Sequence, residues 1–181
     1  MKLSTPEKRW VVWHPFVAKK SMRITQHVLV ITDSIKKSGT IGMDNNGGYL
    51  DAFKHTYWMA SLTLEIGARK TKKLGIAHER GNYLQFKNMK LEDNYLPDSV
   101  SSVMDLKNNE QGIRIALENK SNKTLLMQQV VKNLQEGNLF VIKKNKQGDY
   151  LTCDNEVLLI IDWKGKWGIP KCIVNSNWQS N

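Results

Sequence analysis

Apolar residues recur at three- and four-residue steps through most of the chain up to Gly137, and then give way to short alternating runs. The first pattern predicts helices and the second predicts strands. "STPE" opens a helix, with Ser4 or Thr5 as N-cap, Pro6 in the first turn and Glu7 at the positive end. It stops before "HP", because the residue preceding a proline is pushed out of helical geometry. A second helix is expected from about Phe16 to Lys37, where Ala18, Met22, Thr25, Leu29 and Thr32 recur, with Gly39 just past its end.

The Gly/Asn-rich "SGTIGMDNNGG" is a loop. A third helix follows from Tyr49 to Ile66, ended by Gly67, and a fourth continues to Arg80, ended by Gly81. Asn82 to Pro97 reads as an irregular polar segment, a flap of the kind that borders sites. The fifth helix starts near Asp98 or Ser99, and the sixth is capped by Ser121 or Asn122 and closed by Gly137. "NLFVIKKNKQGDYLTC" predicts two strands around a turn, and "EVLLIIDWKGKWGIPKCIV" predicts two more. The expected fold is therefore mainly α with a small C-terminal antiparallel sheet (α+β). A helical body over 1–137 carries a β appendage over 138–181.

Composition narrows the class. With 181 residues, 40% apolar and 24% charged, the chain fits one globular domain that buries its core without staples. Cys153 and Cys172 show neither CxxC nor metal spacing, and two reduced thiols are expected in preference to a bridge. No signal-peptide h-region or membrane-length apolar run is present, so a soluble, cytoplasmic protein is expected as written. The formal charge of +10 favours an anionic substrate, a membrane surface or an acidic partner protein, beside the plainer reading of a solvated lysine-rich surface. "ARKTKKLG" could track phosphates, but no nucleic-acid-binding motif accompanies it, and specific nucleic-acid binding is not expected.

Candidate chemistry lies on the helices. At about 100° per residue, Asp51, His55, Trp58 and Leu62 share one stripe of the third helix, and Phe53, Tyr57, Ala60 and Leu64 share another. Two apolar stripes bury that helix, so Asp51 and His55 are expected on a packed surface. There they are either a satisfied polar pair or an oriented base or metal ligand. His78 and Glu79 end the predicted fourth helix, with His78 on the face of Leu74 and Thr71. On the fifth, Asp105, Asn109, Gly112 and Ala116 form a small and polar stripe flanked by Asn108, opposite Val103, Leu106, Ile113 and Leu117. Gly112 costs roughly 1 kcal/mol against alanine in a helix, which predicts the close approach of a neighbouring helix.

"DAFKHTYWMASLTLEIG", "AHE" and "MDLKNNEQG", in that order, resemble a family of uncharacterised bacterial domains that stand alone or end large polymorphic toxins. The resemblance runs from about Trp10 to Phe140 and carries no established activity. By position it implies functional weight for Asp51, His55, Tyr57, Trp58, His78, Glu79, Asp105, Asn108, Asn109 and Gly112. Lys54 replaces the family's usual arginine, and Lys107 replaces the usual histidine of its "DLHNN" motif. Position 107 lies off the Asp105/Asn109 stripe, so the loss of that histidine is expected to be tolerated.

The expected function is a toxin- or effector-like hydrolase acting on a phosphodiester or cell-envelope substrate, opposed by an acidic inhibitor or immunity protein. It could be exported by a specialised secretion system. Asp51, His55, His78 and Glu79 are the catalytic candidates, with Asp105, Asn108, Asn109 and Trp58 as substrate or metal support. His55, His78 and Asp105 would hold a divalent metal such as zinc. The alternative is a non-catalytic module in which the same groups lock helices together.

Overall fold

Ser4 opens α1 (Thr5–Trp13) with a reciprocal capping box: its hydroxyl accepts from the Glu7 amide, and the Glu7 carboxylate accepts from the Ser4 amide. The computed structural model describes residues 3–42, 44, 46–91, 95–118 and 125–178. Pro15 starts α2 (Pro15–Ser38), which Gly39 ends in the left-handed conformation. α3 (Tyr49–Ile66) and α4 (Ala68–Lys87) meet at Gly67, and α5 (Ser99–Glu118) and α6 (Leu126–Gln135) complete the body. The Ser121 or Asn122 cap expected for the sixth helix lies outside the described residues.

α3 is the axis of the fold, packed by α2, α4, α5 and α6. Ala52, Phe53 and Ala60 meet Ile115 and Ala116 of α5, together with Leu126, Val130 and Leu134 of α6. Trp58, Met59, Leu62 and Ile66 meet Trp10, Val28, Leu74 and Ala77 on the other side. α3 and α5 touch closely: a Cβ on Gly112 would lie 2.2 Å from the Thr56 carbonyl oxygen. The glycine that looked costly in the sequence is what lets the two backbones meet.

Some sequence expectations need correction. α4 does not end at Gly81 but runs six residues further, to Lys87. Gly81 is there because Ser4 presses on the helix, its Oγ 2.5 Å from where a Cβ would stand. The irregular segment therefore begins at Asn88 rather than Asn82. On α5 the polar stripe is buried, as Gly112 predicts, and Val103, Leu106 and Leu117 opposite it are exposed. α2 turns Ser21, Val28 and Thr32 inward and leaves Met22 and Leu29 exposed.

The appendage is less regular than four strands. β1 (Phe140–Ile142) pairs antiparallel with β2 (Ile173–Asn175), from Phe140 opposite Asn175 to Ile142 opposite Ile173. Lys144 with Tyr150 and Leu151 with Val157 form only isolated bridges. Instead of a strand, "IIDW" forms the single helical turn α7 (Ile160–Trp163), because the Asp162 carboxylate accepts from the Leu159 amide. Cys153 and Cys172 are joined in a disulfide, correcting the expectation of free thiols. Backbone bonds from Leu151 to Lys143 and from Cys172 to Leu151 bring their Cα atoms to 4.9 Å, a proximity that spacing cannot reveal.

Two anchors seat the appendage. Asn108 of α5 is fully buried; its Nδ2 donates to the Phe140 carbonyl at 2.8 Å and its Oδ1 accepts from the Phe140 amide at 2.9 Å. Lys171 donates to Asp98 at 2.9 Å beneath the Tyr150 ring, and Asp98 in turn caps α5 through the Val100 and Ser101 amides. Burial lowers the Lys171 pKa, and Asp98 offsets this in part. Among the described residues, no helix is long and apolar enough to cross a membrane.

Candidate functional site

The polar groups of α3 and α5 meet where the two helices run closest. Asp51 and His55, one turn apart on α3, face Asp105 and Asn109, one turn apart on α5, and all four residues are buried. His55 Nε2 lies 3.4 Å from Asp105 Oδ1 and 3.6 Å from Asp51 Oδ1. One ligand atom from each of Asp51, His55 and Asp105 falls within 4.8 Å of the others.

The second nitrogen of His55, Nδ1, lies 3.3 Å from Asn109 Oδ1. With the amide oxygen toward the ring, Nδ1–H donates to Asn109 and the Nε2 lone pair faces the two carboxyl groups; with the amide turned over, Nε2–H donates to them. Burial drives the His55 pKa down to about 3, helped by the Lys54 ammonium, so the ring is neutral at neutral pH. For Asp51, burial alone would raise the pKa, but Lys54 and neighbouring donors hold it below the usual range. Lys54 Nζ sits 2.9 Å from Asp51 Oδ1, and the Gly47 amide donates to Oδ2 at 2.8 Å. With His55 neutral, those two groups keep Asp51 ionised. A neutral imidazole and two carboxylates with converging lone pairs form a donor set suited to a cation.

The cluster opens into a pocket of about 40 Å³, room for roughly three waters. Asn46, Lys54, Asn82, Tyr95, Ser101 and Ser102 share its lining with Asp51, His55 and Asp105. Two buried amide atoms near the cluster, Asn82 Oδ1 and Asn109 Nδ2, have no hydrogen-bond partner among the described residues.

The remaining candidates sit around this centre. His78 lies beside His55 with the rings tilted and their centroids 6.0 Å apart, but its Nδ1 lies 3.0 Å from Glu7 Oε1, toward α1. Burial would raise the Glu7 pKa, yet His78 and Ser4 bring it below the ordinary value. Glu79 is buried and accepts from Asn82 Nδ2 at 3.2 Å, one residue back from the pocket that Asn82 lines. Trp58 packs edge-on against both imidazoles and donates to Thr25 at 2.8 Å. Lys107 lies over the Phe140 ring at 4.6 Å, outside the pocket lining.

Sequence reasoning missed Asn82, Ser101 and Ser102, which were read as flap or helix start. It also saw Glu7 only as a cap. Asn82 was findable, since it follows Glu79 by three residues, but only once α4 is known to continue through Gly81.

No curated protein and no solved structure matches the chain. A family model described as "Domain of unknown function (DUF6973)" matches residues 8–138, which span all of the motifs above and the helical body that bears them. The chain belongs to this family of domains of unknown function.

Proposed function

We propose that the chain is a metal-dependent hydrolase of phosphodiesters, of the toxin or effector kind, with Asp51, His55 and Asp105 as the metal ligands. The observation that carries this is the convergence of the Asp51 and Asp105 carboxyl groups on Nε2 of a buried, neutral histidine. Donors about 2.1 Å from a tetrahedral ion stand about 3.4 Å from one another. His55 Nε2 is 3.4 Å and 3.6 Å from the two carboxylate oxygens, and the three donor atoms lie within 4.8 Å of one another, so binding would draw the carboxylates in. Asn109 supports the ring from behind, as a carbonyl acceptor does for a ligating histidine.

A divalent ion so held would lower the pKa of a bound water and polarise an ester oxygen. The chain's own groups complete the site. Lys54 supplies positive charge beside Asp51 for an anionic substrate, and Asn82, positioned by Glu79, offers a free carbonyl oxygen to a water or hydroxyl. The +10 charge favours a polyanionic substrate over a neutral one.

The second reading is a helix lock. It rests on the opposite orientation of the Asn109 amide, in which Nδ2 donates to His55 and Nε2–H donates to the carboxylates. Metal content separates the two. Protein stripped with chelator and reloaded should bind one zinc or manganese ion per chain and cleave bis(p-nitrophenyl) phosphate. Asp105→Asn should lose both properties, and Asn109→Ala should weaken metal binding by about 10- to 100-fold. A folded wild type that retains no divalent ion would establish the lock.

A further inference from the structure

We propose that the elbow joining α1 and α2 docks onto anionic membranes. The inference is independent of the metal site. Of the two tryptophans in "WVVW", Trp10 is buried and donates its indole N–H to the Lys70 carbonyl at 3.1 Å. Trp13 points the other way and is 81% exposed; Val12 is 74% and Phe16 is 99% exposed. Apolar side chains this bare need an account, because an exposed contiguous apolar patch marks an interaction surface.

The elbow is held rigidly. His14, between the two helices, stacks on Trp10 with ring centroids 4.6 Å apart, and its Nδ1 lies 2.8 Å from the Trp10 carbonyl oxygen. The aromatics are therefore presented without the entropy cost of ordering a loop.

Charge identifies the occupant. From Lys8 through Thr32 the chain contains Lys8, Arg9, Lys19, Lys20 and Arg23 and not one acidic residue. All five cations are exposed. Phe16, Lys19, Lys20, Arg23 and His27 follow one another at helical spacing, so the basic stripe starts at the apolar tip. Lys20 also meets Glu65 of α3, which faces this stripe.

Val12 and Trp13 at the end of α1 and Phe16 in the first turn of α2 are 74%, 81% and 99% exposed, so these side chains stand out into solvent. Tryptophan and phenylalanine beside lysine and arginine are the side chains that a bilayer interface accepts, the rings at headgroup depth and the cations against anionic lipid. Exposed Val12, Trp13 and Phe16 beside five exposed cations, with no acidic residue between Lys8 and Thr32, match the apolar boundary and negative headgroups of an anionic bilayer.

The test is co-sedimentation of the purified full chain with vesicles of phosphatidylcholine, alone or mixed with phosphatidylglycerol. The wild type should bind only the mixed vesicles. The double variants Trp13→Ser/Phe16→Ser and Lys19→Glu/Arg23→Glu should each bind about tenfold less, with unchanged thermal melting because the side chains are exposed. As a conservative control, brominated lipid should quench wild-type tryptophan fluorescence more than that of Trp13→Phe. Absence of wild-type binding to mixed vesicles, equal binding by both double variants, or equal quenching in Trp13→Phe would overturn the proposal. So would a wild-type dimer that Trp13→Ser/Phe16→Ser converts to monomer, which would make the elbow a self-association surface.

Discussion

His55 is the residue whose surroundings decide most. Its pKa of about 3 in the folded protein lies well below the ordinary 6.5. As pH falls below 6.5 the unfolded chain takes up a proton that the buried ring refuses. The stability present above that pH is therefore lost progressively down to the folded value. The slope should approach about 1.4 kcal/mol per pH unit. Urea midpoints measured at intervals between pH 7 and pH 4 should show this decline, and His55→Gln should flatten it. Asp51, whose pKa is also lowered, contributes its own loss only below its ordinary value of 3.8, so the upper part of the window belongs to the imidazole. An unchanged slope in His55→Gln would mean that the ring is protonated in the folded state, against the tautomer on which the metal reading depends. The pairing of Asp51 with His55 was visible from spacing on the third helix, whereas Asp105 could be joined to them only through the expectation of a shared site, since spacing within one helix does not place a residue of another.

At the level of elements, the contact between α3 and α5 positions the site. Two backbones can approach this closely only where one of them lacks a Cβ, and Gly112 meets the Thr56 carbonyl. A methyl group at Gly112 strikes a backbone atom inside a buried helix, which cannot swing aside as a side-chain tip can. Gly112→Ala should therefore destabilise the fold by about 2–3 kcal/mol, although alanine is the better helix former by about 1 kcal/mol. Chemical denaturation would measure it; a neutral or stabilised variant would refute the close-approach account.

The same contact explains why helix boundaries were legible while helix faces were less so. Caps and terminators are local, and the Ser4 cap, the Tyr49 to Ile66 span and the Asp98 cap all follow from neighbouring residues. The inward face of α5 is not local. A wheel around that helix separates Val103, Leu106, Ile113 and Leu117 from the polar stripe without saying which side turns inward. Only Gly112 pointed to the polar side, which is buried while Val103, Leu106 and Leu117 are exposed. The polar stripe carries Gly112, and close approach to α3 outweighed apolar area. Glycine also misled at position 81, where it serves a contact with Ser4 rather than a helix end.

For the whole molecule, a helical body is joined to an appendage with little regular pairing, so covalent and polar anchors matter more there. The Cys153–Cys172 bridge spans 19 residues of sequence. On the chain-entropy account a closed loop of that size contributes about 3 kcal/mol. Reduction, or replacement of both cysteines by serine, should lower the melting temperature by several degrees. It should also expose the Tyr150 and Leu158 cluster that covers Met104 of α5. Unaltered melting under reducing conditions would show that Asn108 and Lys171 hold the appendage unaided.

The sequence by itself determined the helical body, most of its helix spans, a small antiparallel element in the C-terminal region and the helices that carry acid, amide and imidazole groups. Those features depend on residues within one or two turns of each other, where periodicity and capping chemistry act. Tertiary structure alone decided how the polar groups sort. Asp51, His55 and Asp105 share one centre, His78 turns to Glu7, Glu79 acts through Asn82, Asn108 holds β1, and the two cysteines join. The physical reason is that spacing sets a side chain's angle about its own helix axis. Which angle faces a partner depends on where the backbones can come together, and Gly112 sets that for α3 and α5.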